Sequence, residues 1–176
     1  ILQHYPIFMQ LLRFIEAVEE AQAFQKWKTS HTDSYLVHIF FQDDKREVGY
    51  YNKDDTITTL HFEKEELKVG EEDQIFKKEE HKVLPLNKNE VKVEYGAALE
   101  SAQELQKKNY SAHDPIKIIC VLQHLEQGQV YNFTMITQSF QTLNVKVDAE
   151  SGEIQEHKLY SLMDLGTVEP GKGGKA

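Results

Sequence analysis

The sequence predicts an α+β protein in which one helix packs on a four-stranded antiparallel sheet, and it predicts that unit twice. Three observations lead there. A shift of 81 positions lays residues 14–42 on 95–123 without a gap and matches nine residues, among them Ala17 with Ala98, Ala21 with Ala102, Gln25 with Gln106 and Asp33 with Asp114. Self-similarity of this kind sets the architecture of both copies together. Each copy opens with apolar residues at three-and-four spacing, the period of a helix face. Each then turns to β-branched and aromatic segments divided by polar turns, and connections this short favour antiparallel neighbours.

Pro6 suits the first turn of a helix, because its backbone angle is fixed and it lacks a donor that would go unused there. Ile7, Phe8, Leu11, Leu12, Ile15, Val18 and Ala21 then form one stripe and predict a helix over 6–28. Strands follow at Tyr35–Gln42, Glu47–Asn52 and Thr56–Phe62, with Asp43-Asp44-Lys45 and Lys53-Asp54-Asp55 as turns. The acidic stretch Glu63–Glu80 holds a weaker fourth strand. In the second copy Tyr95, Ala98, Leu99, Ala102 and Leu105 predict a helix over 94–109. Strands are expected at Ile116–His124, Val130–Thr137, Gln141–Val147 and Glu153–Tyr160. Strict alternation in Leu143-Asn144-Val145-Lys146-Val147 turns one face to a core and the other to water. Residues 1–87 and 88–165 are thus the two repeats, and the Gly-rich 166–176, too poor in apolar side chains to repay its ordering, is a flexible tail.

The make-up is that of an ordinary globular chain: 176 residues, 40% hydrophobic and 28% charged. A formal charge of −9 repels phosphate backbones and anionic lipid, and no basic patch offsets it, so nucleic acid is not expected as a partner. No run approaches the ~18 apolar residues of a membrane span, and the first residues lack a signal peptide's basic start and cleavage site. The single cysteine, Cys120, lies in an apolar run where a thiol acts as a small hydrophobe. A reducing, cytoplasmic compartment is the expectation, held provisionally because the chain has no initiator Met and the native start could lie upstream.

The segment Leu143-Asn144-Val145-Lys146-Val147-Asp148-Ala149-Glu150-Ser151-Gly152-Glu153-Ile154 resembles the closing hairpin of PepSY domains, small modules with a cystatin-like layout of helix and sheet. The resemblance extends back through the Ala-rich helix at 94–109, the strand at 116–124 and the aromatic strand around Tyr131 and Phe133, and covers about residues 94–162. The first copy is PepSY-like only through the internal repeat, since Glu63-Lys64-Glu65-Glu66-Leu67 lacks the motif's Gly. The resemblance implies two cystatin-like repeats and a role in contacting or restraining a partner protein such as a peptidase. It brings no catalytic residues.

Sites of chemistry are scarce. The eight histidines include no His-Glu-x-x-His and no helical pair four apart, and the run Asp148, Glu150 and Glu153 is too short for a twelve-residue calcium loop, so no metal is expected. Cys120 is buried by its neighbours, and no Gly-x-Ser-x-Gly elbow or phosphate-binding Gly loop occurs. An enzyme and a cofactor are therefore not expected. The sequons at Asn109-Tyr110-Ser111 and Asn132-Phe133-Thr134 do not establish secretion, the second being mid-strand. Aromatic residues are more informative: Tyr131, Phe133 and Met135 share one strand face, and Val130, Asn132, Thr134 and Ile136 share the other. Either both faces are packed, on the helix and on the other repeat, or one is left open as an aromatic groove for a peptide or an apolar ligand, with Tyr50, Tyr51, Tyr131 and Phe133 as its residues. The expected function is non-enzymatic binding of a protein or peptide. The alternatives are a structural role, with the sheet surfaces joining the repeats or assembling a homo-oligomer, and a small-ligand carrier using a cleft between the repeats.

Overall fold

The computed structural model describes residues 10–75, 82–139 and 141–161. Pro6, Ile7, Phe8 and the tail at 166–176 lie outside them. The element order is α1 (Gln10–Glu20), α2 (Gln22–Ser30), β1 (Tyr35–Gln42), β2 (Lys45–Tyr51), β3 (Thr56–Glu63), β4 (Glu66–Gln74), a 3₁₀ turn (Lys88–Glu90), α3 (Tyr95–Asn109), β5 (Pro115–Leu125), β6 (Gly128–Thr137), β7 (Gln141–Asp148) and β8 (Ile154–Ser161).

Two separate four-stranded sheets, each with one helix, were the expectation, and the topology overturns it. All eight strands belong to one antiparallel sheet in the order β4-β3-β2-β1-β5-β6-β7-β8, with three α-helices among the described residues. The physical reason lies in β1 and β5. Each would be an open edge if its meander stood alone, with unpaired backbone groups inviting association. They instead pair with each other, Ile39 against Leu122 and Phe41 against Cys120, and all four side chains are buried. The core continues across the seam without a break.

The first helix also differs from expectation. The chain turns extended at Ala21 (φ −63°, ψ 137°), which ends α1 and starts α2. Alanine is the best helix former, so no local signal marks this break. Packing explains it: Leu11, Phe14, Ile15 and Val18 of α1 enter the core, and the redirected α2 brings Phe24 and Trp27 to 5.2 and 5.5 Å from the Tyr50 ring. Ala102, aligned with Ala21 in the repeat, sits inside an unbroken α3. The Lys28 ammonium caps α2 by donating to the carbonyl oxygens of His31 and Thr32, at 3.0 and 3.1 Å, and of Ser34. On α3, fully buried Ala98 and Ala102 let the backbone approach the sheet, and Tyr95 stacks on Phe41 across 4.4 Å.

The hairpins follow local chemistry. Asp148 accepts from the backbone N–H of Glu150 and Ser151 at 2.9 and 2.7 Å, and Gly152 takes φ +80°, a conformation open to glycine at little cost. The corresponding turn of the first half lacks a glycine, and Lys64 adopts φ 58° there instead, so β4 forms without the PepSY motif.

Candidate functional site

Strand parity gives the sheet two unlike faces. One carries Ile39, Val48, Leu60, Leu122, Tyr131, Phe133, Val145 and their neighbours, and the helices cover it. The other carries Phe40, Ile119, Val121, Asn132, Thr134 and Ile136, all half-buried, and Val130, which is fully buried; none of the described helices packs on it.

Tyr50, Tyr131 and Phe133, expected in an open groove, lie on the covered face. Tyr50 is buried and donates to Glu19 Oε1 at 3.4 Å. Tyr131 and Phe133 have no exposed surface, and the Tyr131 hydroxyl donates to the Val93 carbonyl at 2.7 Å. Burial pushes the Tyr50 and Tyr131 hydroxyls well above their ordinary range. Tyr51 alone of the four reaches the open face, with its ring 5.3 Å from Tyr35 and its hydroxyl on Asp55. The cleft expected between the repeats is occupied by the β1–β5 ladder.

Sequence reasoning left the residues at the middle of the open face out of the candidate site. Phe40 pairs in register with Glu47 on β2 and Val121 on β5, and Val121 with Asn132 on β6. Beside them the His38 imidazole lies over Gly49, so close that a Cβ there would meet Cε1 at 2.2 Å. The glycine is the seat of the ring, and burial lowers the His38 pKa against the pull of Glu47. Charges on this face are largely matched: Lys45 to Glu47 and Lys146 to Glu156, each at 2.7 Å, and Lys68 to Glu66, while the His61 ring lies 3.5 Å from Glu63. Asn144 donates to Asn132 Oδ1 at 2.8 Å. The face thus has a half-buried apolar middle within matched polar groups.

Two concavities elsewhere are lined mainly by polar residues. A cleft of about 280 Å3 at the end of α2 is lined by His31, Asp33, Asn52 and Glu72 among others. Within it His31 stacks on Trp27 and its Nε2 lies 2.9 Å from Glu72 Oε1, which ties α2 to the edge strand β4. Among the described residues no group of three or more His, Cys, Asp or Glu is arranged to hold a metal ion. Burial pushes the Cys120 thiol up, and no described helix is long and apolar enough to cross a membrane.

Glu94 stands out electrostatically. It precedes α3 without capping it by a side-chain hydrogen bond, and burial raises its pKa to about 7 against the opposing charge of Arg46. The folded protein keeps this proton between pH 4.5 and about 7 while the unfolded chain loses it, so stability falls as pH rises through that window and levels above it. Full desolvation would make this roughly 3 kcal/mol, and solvent reaching the half-buried group reduces it to about 1–2 kcal/mol. Glu94→Gln should therefore be more stable than the parent at pH 8 and equal to it near pH 4.5. Denaturant midpoints at the two pH values check this, and an unchanged difference refutes it.

No family model matches the chain, and no curated protein matches it. The PepSY resemblance accordingly rests on the motif residues. Among solved structures, the crystal structure of a protein described as a "putative lipoprotein" from Clostridium difficile 630 is similar, with a TM-score of 0.50 and 16% identity, covering 78% of this chain and 90% of that one. At that identity the likeness concerns the fold.

Proposed function

We propose that this protein is a non-catalytic binding module that receives a partner protein on the open face of its sheet. One observation carries this: the face opposite the helices holds Phe40, Ile119, Val121 and Ile136 half-exposed within a frame of matched charges. Eight strands about 4.8 Å apart and some 25 Å long present roughly 950 Å2, comparable to the ~800 Å2 that each partner contributes to a standard interface. Restraint of a peptidase, implied by the PepSY resemblance, is the narrower form of this role. The cytoplasm is the compartment that goes with it, on the strength of the single buried thiol.

The test compares capture by the parent chain, by Val121→Glu and by Glu104→Arg on the exposed side of α3, each first shown to melt as the parent does. A partner identified by mass spectrometry that is lost with Val121→Glu and kept with Glu104→Arg supports the proposal. Capture indifferent to Val121→Glu overturns it.

A further inference from the structure

We infer that the occupant of the open face is a second copy of this chain, docked face to face about a twofold axis that runs along the strands between β1 and β5. This rests on the reading of that face as a protein-binding surface and names its partner.

The register across the sheet supplies the argument. One row of the open face runs from Lys68 on β4, through Phe40 and Val121 at the centre, to Glu156 on β8. Two residues along, toward the same end of the sheet, the next row has Glu66 on β4, Gln42 and Ile119 at the centre, and Lys158 on β8. A twofold axis along the strands lays β4 of one copy over β8 of the other and β1 over β5. Lys68 and Glu66, paired with each other within one chain, then meet the other copy's Glu156 and Lys158 respectively, so that the intrachain pairs extend into a network between copies, and Phe40 meets its Val121. Each match occurs twice by symmetry, as an isologous interface requires. The edge charges alternate in opposite order on β4 and β8, which is the condition for a surface to complement itself. Lys45, Glu47, Glu63 and Lys146 complete the two rows, giving four acidic and four basic side chains, so the chain's charge of −9 does not reside there.

Shape agrees with charge. Sheets twist with one hand, and a twofold axis parallel to the strands carries such a saddle onto one of the same curvature, so the two faces stay in contact across their width. Faces packed this way lie about 10 Å apart with facing strands nearly aligned.

The test uses exposed positions at opposite edges of the sheet. Sedimentation velocity over a dilution series should find the parent at twice its 20.4 kDa mass at the upper concentrations. Lys158→Glu sets a carboxylate against Glu66 of the other copy and should weaken the dimer roughly tenfold. Adding Glu66→Lys should restore it to within about threefold of the parent, because the two residues lie on opposite edge strands of one chain and meet only between copies. A chain that stays monomeric, or a dimer that ignores Lys158→Glu or is not rescued by the swap, overturns the inference. A monomer that still captures a different protein through Val121 overturns only the second copy as occupant, whereas capture independent of Val121 overturns the face itself.

Discussion

Replacing Phe133 by Ala should lower the stability of the fold by about 3–5 kcal/mol, equivalent to a fall of roughly 10 °C in Tm for a chain of this size. The ring has no exposed surface. Its centroid lies 6.0 Å from Tyr95 and 6.3 Å from Tyr131, and it is paired in register with Cys120 and Val145, both fully buried. Helix α3 enters the core through Ala98 and Ala102, whose small side chains have nothing to extend into the space left behind. The loss should therefore approach the full transfer and cavity terms. Phe133→Leu, which keeps much of the volume, should cost under half as much. Thermal melts of the three proteins check the order. Equal stability of parent and Phe133→Ala would mean that this face is not the covered one.

Asn52→Ala should cost about 2–4 kcal/mol although it removes only a small polar group. Asn52 follows β2, is 4% exposed and serves three hydroxyls: its Nδ2 donates to Thr56 and Thr58, each at 2.9 Å, and its Oδ1 accepts from Ser34 at 2.6 Å. Ser34, Thr56 and Thr58 are themselves buried. Truncation takes this partner from the Ser34 and Thr58 hydroxyls, while Thr56 keeps its hydrogen bond to Asp54 Oδ1 at 2.7 Å, and the penalty lies in the lost pairings more than in the amide itself. The exposed neighbour Lys53 provides the contrast, since Lys53→Ala should stay within about 0.5 kcal/mol of the parent. Chemical denaturation of both variants checks the difference. A loss at Asn52 no larger than at Lys53 would show the network to be energetically idle.

Sequence patterns that depend on neighbouring residues were legible, and those that depend on distant pairing were not. The alternation Leu143, Val145, Val147 marks β7, and all three are fully buried. Tyr35–Gln42 is recognisable as β1 from its aromatic and branched residues. The helix break at Ala21 has no local signal, because it answers to Tyr50 in a strand of the sheet. The β1–β5 ladder joins His38 to Gln123, far apart in the chain, with no turn to announce it. For the site, parity alone separates Tyr131, Phe133 and Met135 from Asn132, Thr134 and Ile136. The larger and more apolar set belongs under a helix, and this asymmetry was the available signal against an open groove at Tyr131 and Phe133. Phe40 and Val121 gain their place on the open face from the seam, so neither strand read by itself would single them out.

The seam binds the two meanders into one thermodynamic body. Its closure carries the entropic cost of a long loop and must be repaid by a few backbone bonds together with the side chains of Ile39, Phe41, Cys120 and Leu122. Each half can reach its hairpins through local contacts, but neither can keep its first strand satisfied alone. Severing the connection between β4 and α3 would therefore leave the fragments adhering to each other, and purifying either one by itself would release a raw strand prone to polymerise.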